Sequence, residues 1–189
     1  VVLLWLAVLA LAVLVWALSR QVGVLFERVA PMGALVTDAG PAVGQPSPSF
    51  ALRGIQSEAV QIGGATDKPT LLFFLSPTCP VCKKLLPIAK SIQRSERDWL
   101  RLVFASDGER PEHEVFYRRA GLEEHPYVLS TELGMGFKVG KLPYAVLIDE
   151  AGRVRAKGLV NSREQLESLF TAKELGVASV QDYVERSAA

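Results

Sequence analysis

The sequence predicts an α/β domain, a mixed central β-sheet with helices on its faces, carried behind an apolar N-terminal transmembrane helix. Three observations lead there. Thr70-Leu-Leu-Phe-Phe-Leu75 is a near-continuous apolar run with no alternation, the pattern of a strand covered on both faces. A segment of helical periodicity (Lys83 to Gln93) and a second apolar strand (Leu100 to Ala105) follow it, which makes a β–α–β unit. A strand pair and a closing helix end the pattern, so the sheet takes antiparallel as well as parallel strands.

Each element has its own signal. At 189 residues, 49% of them hydrophobic, the chain is long enough for one packed domain plus an appendage. Val1 to Leu18 holds no charged residue and has about the length of a membrane-crossing helix. A cleaved signal peptide is the competing reading, but Leu18-Ser19-Arg20-Gln21 is a poor cleavage site. The span is therefore placed at 1–19. Residues 20–43 form a connector broken by Pro31, Gly33, Gly40 and Pro41, 44–174 the domain, and 175–189 a C-terminal tail. Phe50 with Leu52, and Val60 with Ile62, predict the two short strands of a leading hairpin.

Leu85, Leu86, Ala89 and Ile92 fall at helical spacing, and Pro87 is expected to kink that helix without ending it. Pro111 to Ala120 opens on Pro and acidic residues and closes on Arg118, Arg119 and Gly121, so it carries helix start and stop signals. Tyr127 to Leu129 predicts a brief strand, Glu132 to Val139 a short glycine-interrupted helix, and Ala145 to Ile148 with Arg153 to Val160 a strand pair joined by a turn at Asp149 to Gly152. The final helix, Ser162 to Glu174, takes Ser162 as N-cap and buries Leu166, Leu169 and Phe170.

Charge and composition exclude some functions. The net charge is +1 and no basic cluster is interleaved with aromatics, so nucleic-acid binding is unsupported. Arg20 and Arg28 follow the apolar run and favour the cytoplasm for that side of the membrane; compensating charge upstream of Val1 would reconcile this with an oxidising location.

The chemistry is concentrated in Cys79-Pro-Val-Cys82, which holds the only two cysteines of the chain. Closing so small a loop removes only about 2 kcal/mol of unfolded-chain entropy, so the pair is poorly placed as a staple. Zinc would need two further ligands, and His113 and His125 are both distant and form no ligand-like pair; both are read as surface or turn residues. Thiol–disulfide exchange fits the spacing. A cysteine at a helix N-terminus has its thiolate stabilised by the dipole and free N–H groups, which describes Cys79. Pro80 suits the first helical turn, and Cys82, one turn further in, is the resolving thiol. Lys83-Lys84 either favours the Cys79 thiolate or forms a solvated helix face. Phe73, Phe74 and Trp99 are read as packing residues.

The strand into Cys79-Pro-Val-Cys82-Lys83, Pro87 in the following helix, and Leu142-Pro143 before the strand pair together resemble thioredoxin-like proteins. The resemblance implies a cis Pro143 beside the redox pair and a Leu142 backbone that pairs with an extended peptide, with Pro80 and Val81 completing the substrate-binding surface. The anchor, the connector Arg20-Gln-Val-Gly-Val-Leu-Phe-Glu-Arg28 with Ala30-Pro-Met-Gly-Ala34, and Ser76-Pro-Thr-Cys-Pro-Val-Cys82 resemble, more narrowly, the MauD family of methylamine utilisation accessory proteins. That resemblance implies an inner-membrane protein with its domain in the periplasm, which forms or isomerises disulfides in the small subunit of methylamine dehydrogenase. It also implies a membrane redox partner and no cofactor beyond the Cys79–Cys82 disulfide.

Departures from ordinary thioredoxins bear on direction. Thr78 replaces the usual tryptophan before the first cysteine, and Phe73 replaces a buried acid, which leaves Cys82 without its usual proton acceptor. Pro80-Val81 lacks the histidine of the strongest oxidases and argues for an intermediate potential. Three rival readings remain: a peroxiredoxin-like peroxidase, which Leu72 fails where that family has proline; a cytochrome-c-maturation-type thiol reductase; and a non-redox assembly chaperone.

Overall fold

In the computed structural model the described residues are 40–175 and, ahead of them, Val2, Leu4–Leu6, Val8, Leu9, Leu11–Trp16 and Leu18. The chain divides into two compact units, Val1–Asp38 and Ala39–Ala189. In the first, the described residues are helical and their side chains exposed. Among the described residues no helix is long and apolar enough to cross a membrane. Six positions of the expected span 1–19 (Val1, Leu3, Ala7, Ala10, Ala17 and Ser19) lie outside the described residues, as do 20–39 of the connector and 176–189 of the tail.

The second unit carries the α/β domain. Its elements run β1 (Phe50–Arg53), β2 (Ala59–Ile62), β3 (Thr70–Phe74), α1 (Pro80–Glu96), β4 (Arg101–Ser106), α2 (Arg110–Arg119), β5 (Tyr127–Leu129), α3 (Thr131–Gly136), β6 (Tyr144–Ile148), β7 (Val154–Leu159) and α4 (Arg163–Leu175). β1 and β2 form a separate antiparallel hairpin, and the five-stranded sheet has the order β5-β4-β3-β6-β7. β4 lies parallel to β3 and to β5, whereas β6 runs antiparallel to β3 and to β7. β3 is thus the central strand, which explains why all five of its residues are buried.

Side chains alternate across the sheet, so each central strand feeds two cores. Leu71, Phe73 and Leu75 join Leu85, Ala89, Ile92 and Leu166 on one face; Leu72 and Phe74 join Val60, Ile62, Leu133 and Phe137 on the other. The leading hairpin is therefore a lid on the second core. The turn Asp149–Gly152 is closed by the Asp149 carboxylate, which accepts from the Arg153 N–H at 2.8 Å. Gly152 takes φ +74°, and a Cβ there would meet the Gly64 carbonyl oxygen at 2.5 Å, so only glycine fits.

Most expected elements are present within one to three residues. The helix foreseen over Glu132 to Val139 is shorter, Thr131–Gly136: Ser130 starts it one residue early by accepting from the Leu133 N–H at 3.0 Å, and it ends at the Phe137 C-cap, where Lys138 turns to φ +51°. Pro87 does lie inside α1 without ending it. Trp99 packs edge-on against Phe170 with ring centroids 5.9 Å apart, and Phe73 and Phe74 are core residues. The surface reading of the histidines is corrected, since His113 is 2% and His125 9% exposed, although His125 does lie in a turn, its N–H donating to the Leu122 carbonyl at 2.9 Å. His113 shares the inward face of α2 with Phe116 and Tyr117, the i, i+3, i+4 spacing of a buried helical stripe.

Candidate active site

β3 ends at Phe74, and the chain then reaches α1 through a loop organised by Ser76. The Ser76 carbonyl accepts from the Cys79 N–H at 3.1 Å. Its hydroxyl accepts from the Thr78 N–H at 3.3 Å and lies 2.9 Å from the Thr78 hydroxyl. That bonding delivers Cys79 as the N-cap of α1, with extended φ −78° and ψ 114° and its Sγ accepting from the Cys82 N–H at 3.1 Å. An N-cap side chain normally supplies an oxygen to the free amides; here a sulfur does so. No acidic residue occupies the first turn, so no fixed negative charge competes with a thiolate there.

Pro80 occupies the start of α1, as its fixed φ and missing N–H favour. Cys79 is half-buried and Cys82 fully buried, and a disulfide joins them across a Cα separation of 5.3 Å. Val81 remains 37% exposed beside them. Lys83 and Lys84 are exposed on the helix surface.

The Leu142–Pro143 peptide is cis. The β3–β6 register ends at Phe74 opposite Tyr144, so Pro143 falls one step beyond the last pair, at the sheet end from which the Ser76 loop leaves. Its carbonyl accepts from the Val160 N–H at 3.1 Å. Pro143 is buried while Leu142 is 37% exposed. Leu142 edges a hollow of about 160 Å³ shared with Leu75, Ser106 and Lys141.

Beneath the loop lies a polar layer that periodicity alone does not announce. The Ser106 hydroxyl donates to the Leu75 carbonyl at 2.8 Å. His113 places Nδ1 2.7 Å from the Tyr127 hydroxyl and Nε2 2.9 Å from the Asp107 carbonyl. A carbonyl only accepts, so Nε2 carries the hydrogen of that contact. Burial pushes the Tyr127 phenol up, opposed by the Ser106 hydroxyl and aided by Glu112. Two signals point to these residues in retrospect: a serine ends an otherwise apolar strand, and a histidine shares the Phe116/Tyr117 stripe. Phe73 is fully buried and meets Phe104 edge-on at 5.9 Å, so the core around Cys82 is aromatic where ordinary thioredoxins have an acid. Among the described residues no group of three or more His, Cys, Asp or Glu side chains is placed to hold a metal ion.

A profile of the thioredoxin-like domain matches residues 56–173. The chain is 50% identical over 183 residues to the methylamine utilization protein MauD of Paracoccus versutus, covering 97% of this chain and 92% of that one. The chain belongs to the MauD family. MauD of Methylorubrum extorquens is 51% identical over 185 residues, covering 97% of this chain and 89% of that one, and MauD of Methylophilus methylotrophus 44% over 186, covering 97% and 87%. Among solved structures, StoA of Bacillus subtilis superimposes with TM-score 0.57 at 26% identity, covering 69% of this chain and 99% of its own. A Chlorobium tepidum protein described as the thiol:disulfide interchange protein DsbE gives TM-score 0.62 at 19% identity, covering 71% and 99%. The MauD match spans nearly the whole chain, whereas the DsbE likeness is one of fold.

Proposed function

We propose that this MauD-family chain is a membrane-anchored thiol–disulfide oxidoreductase that forms or isomerises disulfides in a client protein of methylamine utilisation, the small subunit of methylamine dehydrogenase. One observation carries the chemistry: Cys79 caps α1 half-buried, disulfide-bonded to a fully buried Cys82. The apolar segment 1–19 serves as the inner-membrane anchor and the domain faces the periplasm, where disulfides persist.

In the oxidising direction a client thiolate attacks Cys79 Sγ, the Cys79–Cys82 bond breaks, and Cys82 leaves as a thiolate. A second client thiolate then attacks the client sulfur of the mixed disulfide and expels Cys79. Two electrons pass from client to protein, and a membrane redox partner takes them up. In the isomerising direction the Cys79 thiolate attacks a client disulfide, the freed client thiolate attacks a second client disulfide, and the thiolate released there attacks the client sulfur of the mixed disulfide and expels Cys79. Leu142 offers extended backbone to the bound client strand, beside Pro143, Pro80 and Val81.

The test uses the full-length chain. Cys82→Ser is expected to accumulate a mixed disulfide between Cys79 and the client, which reductant releases; Cys79→Ser is expected to form none and to leave the client unoxidised. Normal client maturation with Cys79→Ser would show a binding role without redox chemistry. The reduction potential of the pair then chooses between oxidase and isomerase.

A further inference from the structure

A groove of about 440 Å³ runs between α1 and α2, starting at Pro77 and Lys83 on either side of the cysteine pair. Each helix contributes residues at i, i+3, i+4 and i+7, a single helical stripe. On α1 these are Lys83, Leu86, Pro87 and Lys90; on α2, Glu112, Val115, Phe116 and Arg119. Both stripes have the same plan, with apolar side chains in the middle and charged ones at the ends. Leu86 and Phe116 form a buried floor, while Val115 is 51% exposed, a large apolar side chain with open solvent beside it.

The charges are unbalanced. The groove holds three cations (Lys83, Lys90, Arg119) against one acid (Glu112), in a chain whose 21 basic and 20 acidic residues nearly cancel. Lys90 is held in place, its Nζ donating to the Ala120 and Gly121 carbonyls at 3.0 and 2.8 Å. Pro87 has no N–H to offer the Lys83 carbonyl four residues earlier, which leaves that acceptor without its helical donor. A stripe from i to i+7 is about 10 Å long, the length of three or four residues of extended chain.

We infer that this groove docks an acidic, apolar-centred peptide segment of the client: an aliphatic or aromatic side chain over Leu86 and Phe116, flanked by carboxylates that meet Lys83 and Arg119. It rests on the proposed oxidoreductase reading and names its partner's chemistry. Because the groove begins next to Cys79, a segment seated there holds nearby client cysteines at the pair, which raises their effective concentration.

The test measures binding of fluorescent, cysteine-free peptides to the full-length chain by anisotropy, comparing Glu-Leu-Phe-Glu with Lys-Leu-Phe-Lys sequences. The acidic peptide is expected to bind at least about tenfold tighter at low salt, as several exposed charge pairs together imply, with the difference shrinking as salt screens it. Arg119→Glu is expected to abolish or reverse that preference, and Val115→Asp to weaken the acidic peptide selectively. Equal affinity for the two peptides, or a preference untouched by both substitutions, overturns the inference. Since the peptides carry no cysteine, a chain that discriminates between them but exchanges no disulfides refutes the redox reading alone, and an exchange-active chain that does not discriminate refutes the groove alone.

Discussion

Phe73→Asp would put a carboxyl where ordinary thioredoxins bury one, and the structure says that it will not be accepted. Phe73 is completely buried, meets Phe104 edge-on, and shares one core cluster with Cys82. Truncating a buried phenylalanine costs about 3–5 kcal/mol through lost transfer energy and the cavity left behind. Burying a carboxyl without a partner adds about 1–3 kcal/mol even in its neutral form. The total, about 4–8 kcal/mol, rivals the whole stability of an ordinary domain, about 5–15 kcal/mol. Urea denaturation of the reduced protein measures it, with Phe73→Leu as the variant that keeps the site apolar. A Phe73→Asp protein that unfolds cooperatively within about 2 kcal/mol of the parent, an ordinary single-mutant effect, would show that the site pairs or hydrates a carboxylate. The apolar environment assigned to the resolving thiol would then be wrong.

His125 gives a pH prediction with a defined sign. Burial, and secondarily Lys90, holds its imidazole below the ordinary 6.5, with Glu124 opposing. The unfolded chain therefore binds the proton more readily, so this contribution to stability is complete above about pH 6.5 and is lost as pH falls from there towards the depressed folded value. Its slope stays under about 1.4 kcal/mol per pH unit, the limit for one proton. His125→Gln should flatten the profile in denaturation experiments between pH 7 and 5; an unchanged slope refutes the assignment. His113→Phe keeps a buried ring but removes the imidazole partner of the Tyr127 hydroxyl and of the Asp107 carbonyl, leaving both to Ser106, at an expected cost of about 1–3 kcal/mol in thermal or urea unfolding. A loss of less than about 1 kcal/mol would mean that water replaces the imidazole there.

The sequence by itself determined the α/β class, the strand and helix order and the redox pair. Those features are encoded locally: an apolar run of only six residues, Thr70 to Leu75, is too short for a helix and reads as a strand covered on both faces, and a cysteine, a proline and a helical stripe in succession define a capped helix start. The cis proline was an implication of the resemblance to thioredoxins, and the Leu142–Pro143 peptide is cis. Only the tertiary structure decided what faces what. His113 and His125, polar by residue type, are interior because α2 and the loop before β5 turn them onto Tyr127 and Phe104. Ser106 matters because β4 ends beside the Leu75 carbonyl. The groove between α1 and α2 likewise arises from two stripes separated by more than twenty residues in sequence, and no local pattern brings Leu86 to Phe116. Burial and hydrogen bonding at these positions depend on long-range packing, which a period of two or 3.6 residues does not contain.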